Sequence, residues 1–197
     1  MRRAQIIDVA RKLLVSSGYE AVTLRSVAAG AGMSLAGLQH LFPDKAALVE
    51  AMVDGIGSEY DEIYDELATE DLDGVTVLRN FISYVVLQDI QTPETAGFFF
   101  EMWRLAHREP AANVAVSTLY ANQLARMATL VQRANPQLTS NESAARAAII
   151  MHSTDGFMNT IGYGKARPAA LAEVSDEQLI DLLVEFAVMP GQAIPPS

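Results

Sequence analysis

The sequence predicts an all-α fold of about nine helices, with a small N-terminal head of three helices and a larger helical domain behind it. Apolar residues recur at helical spacing through most of the chain. Capping residues and prolines stand where these segments begin, and no segment has the pattern of a convincing strand. We expect the domain boundary after residue 52, which gives domains of residues 1–52 and 53–197.

The three helices of the head are marked by their ends. An apolar helical face over residues 6–14 forms the first helix. Thr23, an N-cap residue, opens the second, and Gly32 favours the left-handed turn that ends it. Ser34 caps a third helix of about Leu35–Leu41. Two short helices joined by a tight glycine-containing turn are the sequence form of a helix-turn-helix, so the head is expected to bind DNA.

Six further helices are expected after the head. Pro93 and Pro110 are tolerated in a first helical turn, and Thr139 and Ser175 each begin a capping box. The helices are predicted over about residues 45–67, 75–90, 94–108, 110–134, 140–163 and 176–186.

Composition limits the class of protein. The chain has no cysteine, and no apolar run approaches the roughly 20 residues of a membrane span. The N-terminus lacks the core of a signal peptide, so we expect a cytoplasmic protein with no membrane partner. The net charge of −10 is unevenly divided. Residues 1–52 hold six basic and four acidic residues, whereas the remainder holds eight basic and twenty acidic ones. An acidic body would favour docking on DNA through the head alone.

Ordered motifs within about residues 3–52 carry a family resemblance. They read I-I-D-V-A-R-K-L-L, S-G-Y, T-L-R-S-V-A, A-G-M-S and F-P-D-K-A-A-L-V-E-A-M. In this order they resemble the tetracycline-repressor (TetR) family of bacterial transcription regulators. The remaining three-quarters of the chain is similar to the family only in length and helical character. The sequence departs from the family at Gln39 and Leu41, where many members carry tyrosines that help to hold phosphates.

The resemblance implies a ligand-responsive DNA-binding regulator. The expected protein is a repressor that is released from a palindromic operator when a small molecule binds its C-terminal domain. The alternative is a helical module that binds a small molecule or a protein and whose head does not bind DNA specifically. We see no nucleophile with a base, no phosphate loop and no paired carboxylates in apolar surroundings, so neither an enzyme nor a cofactor is expected.

The second helix of a helix-turn-helix enters the major groove. Gln39 is the best base reader, because its amide can bond adenine N6 and N7 together, and His40 could contact a base or a phosphate. Gln39 could instead be only a solvated residue on a short helix, and His40 could pack on the surface of the head itself. Thr23 and Lys45 are expected near phosphates. The full predicted set is Thr23, Arg25, Ser26, Ser34, Leu35, Ala36, Gly37, Gln39, His40 and Lys45.

The resemblance places an effector site in the C-terminal domain. Aromatic and methionine side chains suit a largely apolar ligand, although each could equally belong to the core. His152 and Asp155 share a helix face with Asn159, which could orient a ligand, form a structural pair or, less readily, contribute to a metal site. We assign no metal. The predicted ligand residues are Tyr84, Phe99, Met102, Trp103, Tyr120, Met127, Met151, His152, Asp155 and Asn159.

The resemblance also implies a homodimer. Small residues on one helix would allow a second helix to approach closely, and the last helix adds an apolar face. The predicted interface residues are Ala144, Ala148, Leu179, Leu183 and Phe186. Two helices from each subunit would form a self-complementary bundle around a two-fold axis. The two heads would then meet half-sites about 34–36 Å apart.

Overall fold

The computed structural model describes residues 2–69 and 71–191. These residues form nine α-helices and no strand, which confirms the predicted all-α class. The helices are α1 (Arg2–Ser17), α2 (Leu24–Gly30), α3 (Leu35–Leu41), α4 (Lys45–Leu67), α5 (Gly74–Leu87), α6 (Pro93–Ala106), α7 (Pro110–Ala134), α8 (Ser140–Thr160) and α9 (Asp176–Val188). Over the same residues, no helix is long and apolar enough to cross a lipid bilayer.

Side-chain caps set the beginnings of several helices. The capping boxes predicted at Thr139 and Ser175 are both present, with reciprocal bonds from Glu142 and Gln178. α5 has a cap that the sequence did not reveal, because the carboxylate of Asp73 accepts bonds from two backbone N–H groups of its first turn. Local chemistry therefore fixes where these helices start.

The helix predicted over residues 75–90 ends earlier than expected. α5 stops at Leu87, and Asp89–Gln91 forms a separate 3₁₀ turn. Proline disfavours helical backbone in the residue before it, and Thr92 is accordingly extended ahead of Pro93. The Gln91 side chain donates to the Val86 carbonyl at 3.0 Å, which satisfies one of the acceptors left at the end of α5.

The described residues form two compact units. The first contains residues 2–60 and 93–121, and the second contains 61–69, 71–92 and 122–191. The domain boundary predicted after residue 52 stays a prediction. In the first unit α1 packs on α6 so closely that a Cβ atom at Gly97 would come within 2.7 Å of the Val15 side chain. This contact requires a glycine.

The second unit packs α5 against α8 and α9. Its core includes Leu78, Ile82 and Ile180, which are fully buried. The rings of Tyr64 and Phe81 stack with centroids 4.0 Å apart. Burial raises the pKa of Tyr64 well above its ordinary value, because the ionised phenol would lose its hydration in this core.

Candidate nucleic-acid interface

The turn between α2 and α3 has the geometry that the sequence predicts. Gly32 adopts a left-handed conformation with φ of 62°, and the N–H of Met33 bonds back to the carbonyl of Ala28 at 3.0 Å. The hydroxyl of Ser34 then accepts from the N–H of Gly37 at 3.1 Å and starts α3. This compact turn fixes α3 relative to α2.

α3 is anchored by one face and presents the other to solvent. Leu38 is completely buried, whereas Ala36, Gln39 and His40 are exposed. Gln39 and His40 make no hydrogen bond or ion pair with any described residue. Their polar atoms are therefore available to a partner outside the chain. Leu35, at the start of the helix, is partly exposed and could touch an apolar group such as a thymine methyl.

The packing at the start of α3 explains why position 37 is a glycine. A Cβ atom there would lie 3.1 Å from the Ser34 hydroxyl and 3.4 Å from the end of the Met33 side chain. The absence of a side chain lets the Ser34 cap and the turn close over the start of α3. The base contact predicted for Gly37 stays a prediction.

The start of α2 carries one free cation beside two engaged hydroxyls. The hydroxyl of Thr23 accepts from the N–H of Ser26 at 3.0 Å, and the hydroxyl of Ser26 donates to the Ala21 carbonyl at 2.6 Å. Both side chains thus help to build the helix start. Arg25 is exposed and has no partner among residues 2–69 and 71–191. Of the three, Arg25 alone offers a phosphate a positive charge.

Lys45 is engaged inside the first unit. Its ammonium group donates to the carbonyl of Tyr19 at 2.8 Å and lies 3.4 Å from the centre of the Tyr19 ring. Burial lowers the pKa of Lys45, although Glu20 and Glu109 oppose the shift. The contact ties the start of α4 to the turn before α2. The phosphate contact predicted for Lys45 stays a prediction, and the sequence did not reveal its partner, 26 residues away.

The predicted DNA-binding set also omitted a basic residue near α3, Arg3. The guanidinium of Arg3 lies 4.6 Å from the ring centre of Phe42, which is itself buried directly after α3. Arg3 remains exposed, so it adds positive charge to the head. By contrast, Lys12 is paired with Asp8 at 2.8 Å. Its charge is locally compensated.

In the first unit the structure brings three predicted ligand residues together. The indole N–H of Trp103 donates to the hydroxyl of Tyr120 at 3.0 Å, and the rings of Trp103 and Phe99 have centroids 5.8 Å apart. Phe99 and Met102 are buried, whereas Trp103 and Tyr120 are half-buried. These side chains form an aromatic cluster with one internal hydrogen bond.

The other six predicted ligand residues belong to the second unit. His152 is exposed, and its Nδ1 lies 2.6 Å from the Ala148 carbonyl. Asn159 donates to the backbone carbonyl of Asp155 at 3.0 Å. These bonds run along α8 itself. Tyr84 and Met151 are half-buried and Met127 is buried. The described residues contain no group of three side chains suited to a metal ion.

The predicted interface residues separate into buried and exposed positions. Leu179 and Leu183 expose only 9% of their surface, because they belong to the core of the second unit. Ala144, Ala148 and Phe186 are half-buried. Other large apolar side chains of α8, of α9 and of the residue after α9 are exposed instead. The exposed fraction of the surface is 52% for Ile149, 59% for Leu182 and 49% for Met189. We call Ala145, Ile149, Leu182, Phe186 and Met189 the apolar face; a cavity of about 240 Å³ is lined by four of them.

Known proteins with similar sequences match the head alone or extend beyond it. Residues 6–52 match the profile of the bacterial regulatory proteins of the tetR family. The chain is 28% identical over 82 residues to the HTH-type transcriptional repressor KstR2 of Rhodococcus jostii (strain RHA1), covering 42% of this chain and 40% of that protein. It is 24% identical over 188 residues to an uncharacterized HTH-type transcriptional regulator in the dhlA 5′ region of Xanthobacter autotrophicus, covering 92% and 88%.

Solved structures share the whole fold. Salmonella enterica GusR has a TM-score of 0.73 at 18% identity, with 96% of each chain covered. A TetR transcription regulator from Haloarcula marismortui ATCC 43049 has a TM-score of 0.69 at 14% identity, with 94% of each chain covered. The helix-turn-helix geometry, the matching profile and the shared all-α fold agree with one another. The head of this chain, residues 6–52, belongs to the TetR family of bacterial regulatory proteins, and the chain as a whole has the all-α fold of solved TetR regulators.

Proposed function

We propose that this protein is a ligand-responsive repressor that binds a palindromic operator as a homodimer. Residues 1–52 would bind DNA, and residues 53–197 would bind the effector and the second subunit. One observation carries the proposal: α3 is anchored by the buried Leu38 and presents Gln39 and His40 without partners among the described residues. The name of KstR2, a repressor, supports the sign of regulation.

The base-reading role belongs to the exposed face of α3. Adenine presents an acceptor, N7, and a donor, the N6 amino group, in the major groove. The Gln39 amide can donate to N7 and accept from N6 at the same time. His40, one residue further, can reach a neighbouring base or a phosphate. Arg25 supplies an uncompensated charge on the preceding helix, where phosphate contacts fix the register of the protein on DNA. Affinity and sequence preference thus depend on different residues.

A homodimer would cover the apolar face of the second unit. Ile149 and Leu182 are each more than half exposed, although both are large and apolar. Gly156, on the same side of α8, has no neighbour within 4 Å of where its Cβ would lie, so nothing within the described residues explains a glycine there. A second helix approaching closely would explain it. Two copies related by a two-fold axis would bury the same surface on both.

The effector of such a regulator would be largely apolar. Each unit offers suitable surface by itself: Phe99, Trp103 and Tyr120 form an aromatic cluster in the first unit, and Met127 and Met151 supply adaptable thioethers in the second. A ligand changes DNA affinity only if it prefers one conformation, typically by about 1–3 kcal/mol. A solved structure of the same fold is that of the multidrug binding protein EbrR complexed with imidazole, with a TM-score of 0.62 at 17% identity.

Selection from a randomised duplex pool at two salt concentrations tests the proposal. We expect wild-type protein to enrich a near-palindrome. Gln39→Ala should relax one position in each half-site by about 1–3 kcal/mol, and Arg25→Ala should weaken all sequences and reduce the salt slope by about one. Gln88→Ala, which removes an exposed glutamine at the end of α5, should change neither.

One result would count against the proposal, and a second would count against the role of Gln39. If wild-type protein enriches no sequence and does not bind even at low salt, the head does not read DNA and the alternative of a ligand- or protein-binding module is favoured. If Gln39→Ala selects the same sequences as wild type with the same stringency, DNA is bound but α3 reads it through other residues.

A further inference from the structure

The buried face of α7 carries one polar side chain among apolar ones. Within the second unit this face consists of Gln123, Met127, Leu130 and Val131, at the spacing of a single helical stripe. Gln123 is only 8% exposed. Its Nε2 atom is fully buried and has no hydrogen-bond partner in the part of the chain that the structure describes. This donor therefore has no acceptor among the described residues.

An unpaired amide inside a core requires a physical reason. Leaving a buried donor without a partner destabilises a protein, whereas an apolar side chain of the same shape does not carry that cost. Roughly nine in ten buried polar groups in proteins are paired, and an exception points to a water, an ion or a ligand that completes it. Gln123 lies in the middle of α7, so it neither caps the helix nor stabilises a turn. A partner from outside the chain would complete its hydrogen bonding.

We infer that Gln123 is the hydrogen-bond donor of the effector site and that its partner is a neutral carbonyl oxygen on an otherwise apolar molecule. This inference rests on the proposed ligand response. The apolar part would contact side chains such as Met127, one turn along the same face. When the ligand binds, the missing hydrogen bond forms. That gain adds to the affinity for the ligand, and it shifts a conformational equilibrium to the extent that the bond forms in one conformation and not in the other.

The charges along α7 favour a neutral acceptor. Arg126 and Arg133 are the charged residues of this helix, and both are exposed. Arg126 pairs with Asp61 at 3.1 Å and with Asp65 at 3.3 Å, and Arg133 donates to backbone carbonyls. A carboxylate buried beside Gln123 would therefore have no free cation on α7 to compensate it, and burying an uncompensated charge is far more costly than burying a carbonyl.

The first experiment tests the unpaired amide in the ligand-free protein. Gln123→Met keeps the shape of the side chain and removes the polar group, so the melting temperature should rise by about 2–4 °C. Gln132→Met on the same helix is the matched control. Its amide donates to the Leu138 carbonyl at 2.9 Å and accepts from the Ser143 hydroxyl at 2.9 Å, so the melting temperature should fall. A fall in both variants would overturn the inference, because it would mean that Gln123 is already paired.

The second experiment tests the chemistry of the partner. Titration calorimetry compares 4-phenyl-2-butanone with butylbenzene, which resembles it in shape but lacks the carbonyl. Wild-type protein should bind the ketone about tenfold more tightly, and Gln123→Met should lose this preference. The inference fails if wild type binds the two probes equally, if it binds neither, or if Gln123→Met keeps the preference.

Operator binding measured with and without the ketone separates this inference from the proposed function. A carbonyl preference that depends on Gln123, with operator affinity unchanged, would support the site and contradict the ligand-responsive function. Release of DNA by the ketone from wild type and Gln123→Met at equal concentrations would support the function and contradict the role of Gln123.

Discussion

We expect Arg146→Met to destabilise the protein more than the same exchange at any other arginine that the structure describes. Arg146 is a buried cation, 9% exposed, whose guanidinium donates to four backbone carbonyls at the end of α9. The acceptors are Phe186 at 3.2 Å, Ala187 at 2.9 Å, Met189 at 2.6 Å and Pro190 at 3.1 Å. Phe186 and Ala187 belong to the last turn of α9, whose carbonyls have no partner within the helix, and Met189 and Pro190 follow directly after it.

The magnitude follows from these contacts. A hydrogen bond to a charged group contributes about 1.5–3 kcal/mol, but removing the guanidinium also removes its desolvation cost, so the four bonds are not additive. We expect a net loss of about 2–4 kcal/mol in the free energy of unfolding. For a chain of this size that corresponds to a fall in melting temperature of about 5–15 °C. Methionine retains the length of the aliphatic stem, so little of the loss is a cavity effect.

Arg133→Met is the matched control. Arg133 also donates to two backbone carbonyls, those of Thr69 at 3.1 Å and Leu72 at 2.7 Å, but it is exposed. Water replaces those bonds, so the loss should stay below about 1 kcal/mol. Urea unfolding at fixed protein concentration compares the variants, because dimerisation would itself add stability. Equal losses, or a loss below about 1 kcal/mol for Arg146→Met, would refute the reasoning that burial makes these bonds strong.

Three further outcomes can be measured. Leu182→Glu on the apolar face should produce monomers in sedimentation velocity and weaken operator binding. Val114→Glu, at a similarly exposed apolar position, should change neither the oligomeric state nor operator binding. A dimeric Leu182→Glu protein would contradict the proposed interface. Hydrogen bonds to the capping carboxylates lower the pKa of Asp73 and of Glu142 below the ordinary values of 3.8 and 4.5. The stability that these two ionised caps give the folded protein is therefore present above those pH values and is lost as the pH falls through the lowered pKa of each group. Asp73→Asn with Glu142→Gln should therefore make the acid-induced fall in melting temperature shallower, and an unchanged slope would exclude these caps as its source. Lys45→Met should lower both operator affinity and melting temperature; a loss of affinity alone would mean that the ammonium acts on phosphate and not within the head.

The sequence predicts the features that local chemistry decides. Thr139 and Ser175 begin capping boxes because the residues that complete each box lie only three positions away. Gly32 ends α2 because a left-handed turn favours a residue without a Cβ atom. The partner of Lys45 could not be predicted in this way, because Tyr19 lies in a different helical segment and the contact depends on the tertiary fold.

The positions on α9 could not be sorted from the sequence either. Leu179, Leu182, Leu183 and Phe186 are all large and apolar, so a helical pattern identifies no single inner face. Only the packing of α5 and α8 against α9 decides that Leu179 and Leu183 are buried and that Leu182 is exposed. The choice of interface residues therefore depends on tertiary contacts that a one-dimensional pattern does not contain.

Hydrogen-bonding capacity distinguishes residues that build this protein from residues that can recognise something else. Thr23 and Gln39 are both exposed polar residues of the helix-turn-helix, and the sequence gives them similar roles. In the structure the Thr23 hydroxyl already completes a helix cap, whereas the Gln39 amide has no partner among the described residues. A DNA contact by the Thr23 hydroxyl would require breaking the helix cap, which costs free energy. The Gln39 amide would only exchange hydrogen bonds to water for hydrogen bonds to a base edge. The same reasoning is stronger for a buried group, because the Nε2 atom of Gln123 has no partner among the described residues and is shielded from bulk solvent.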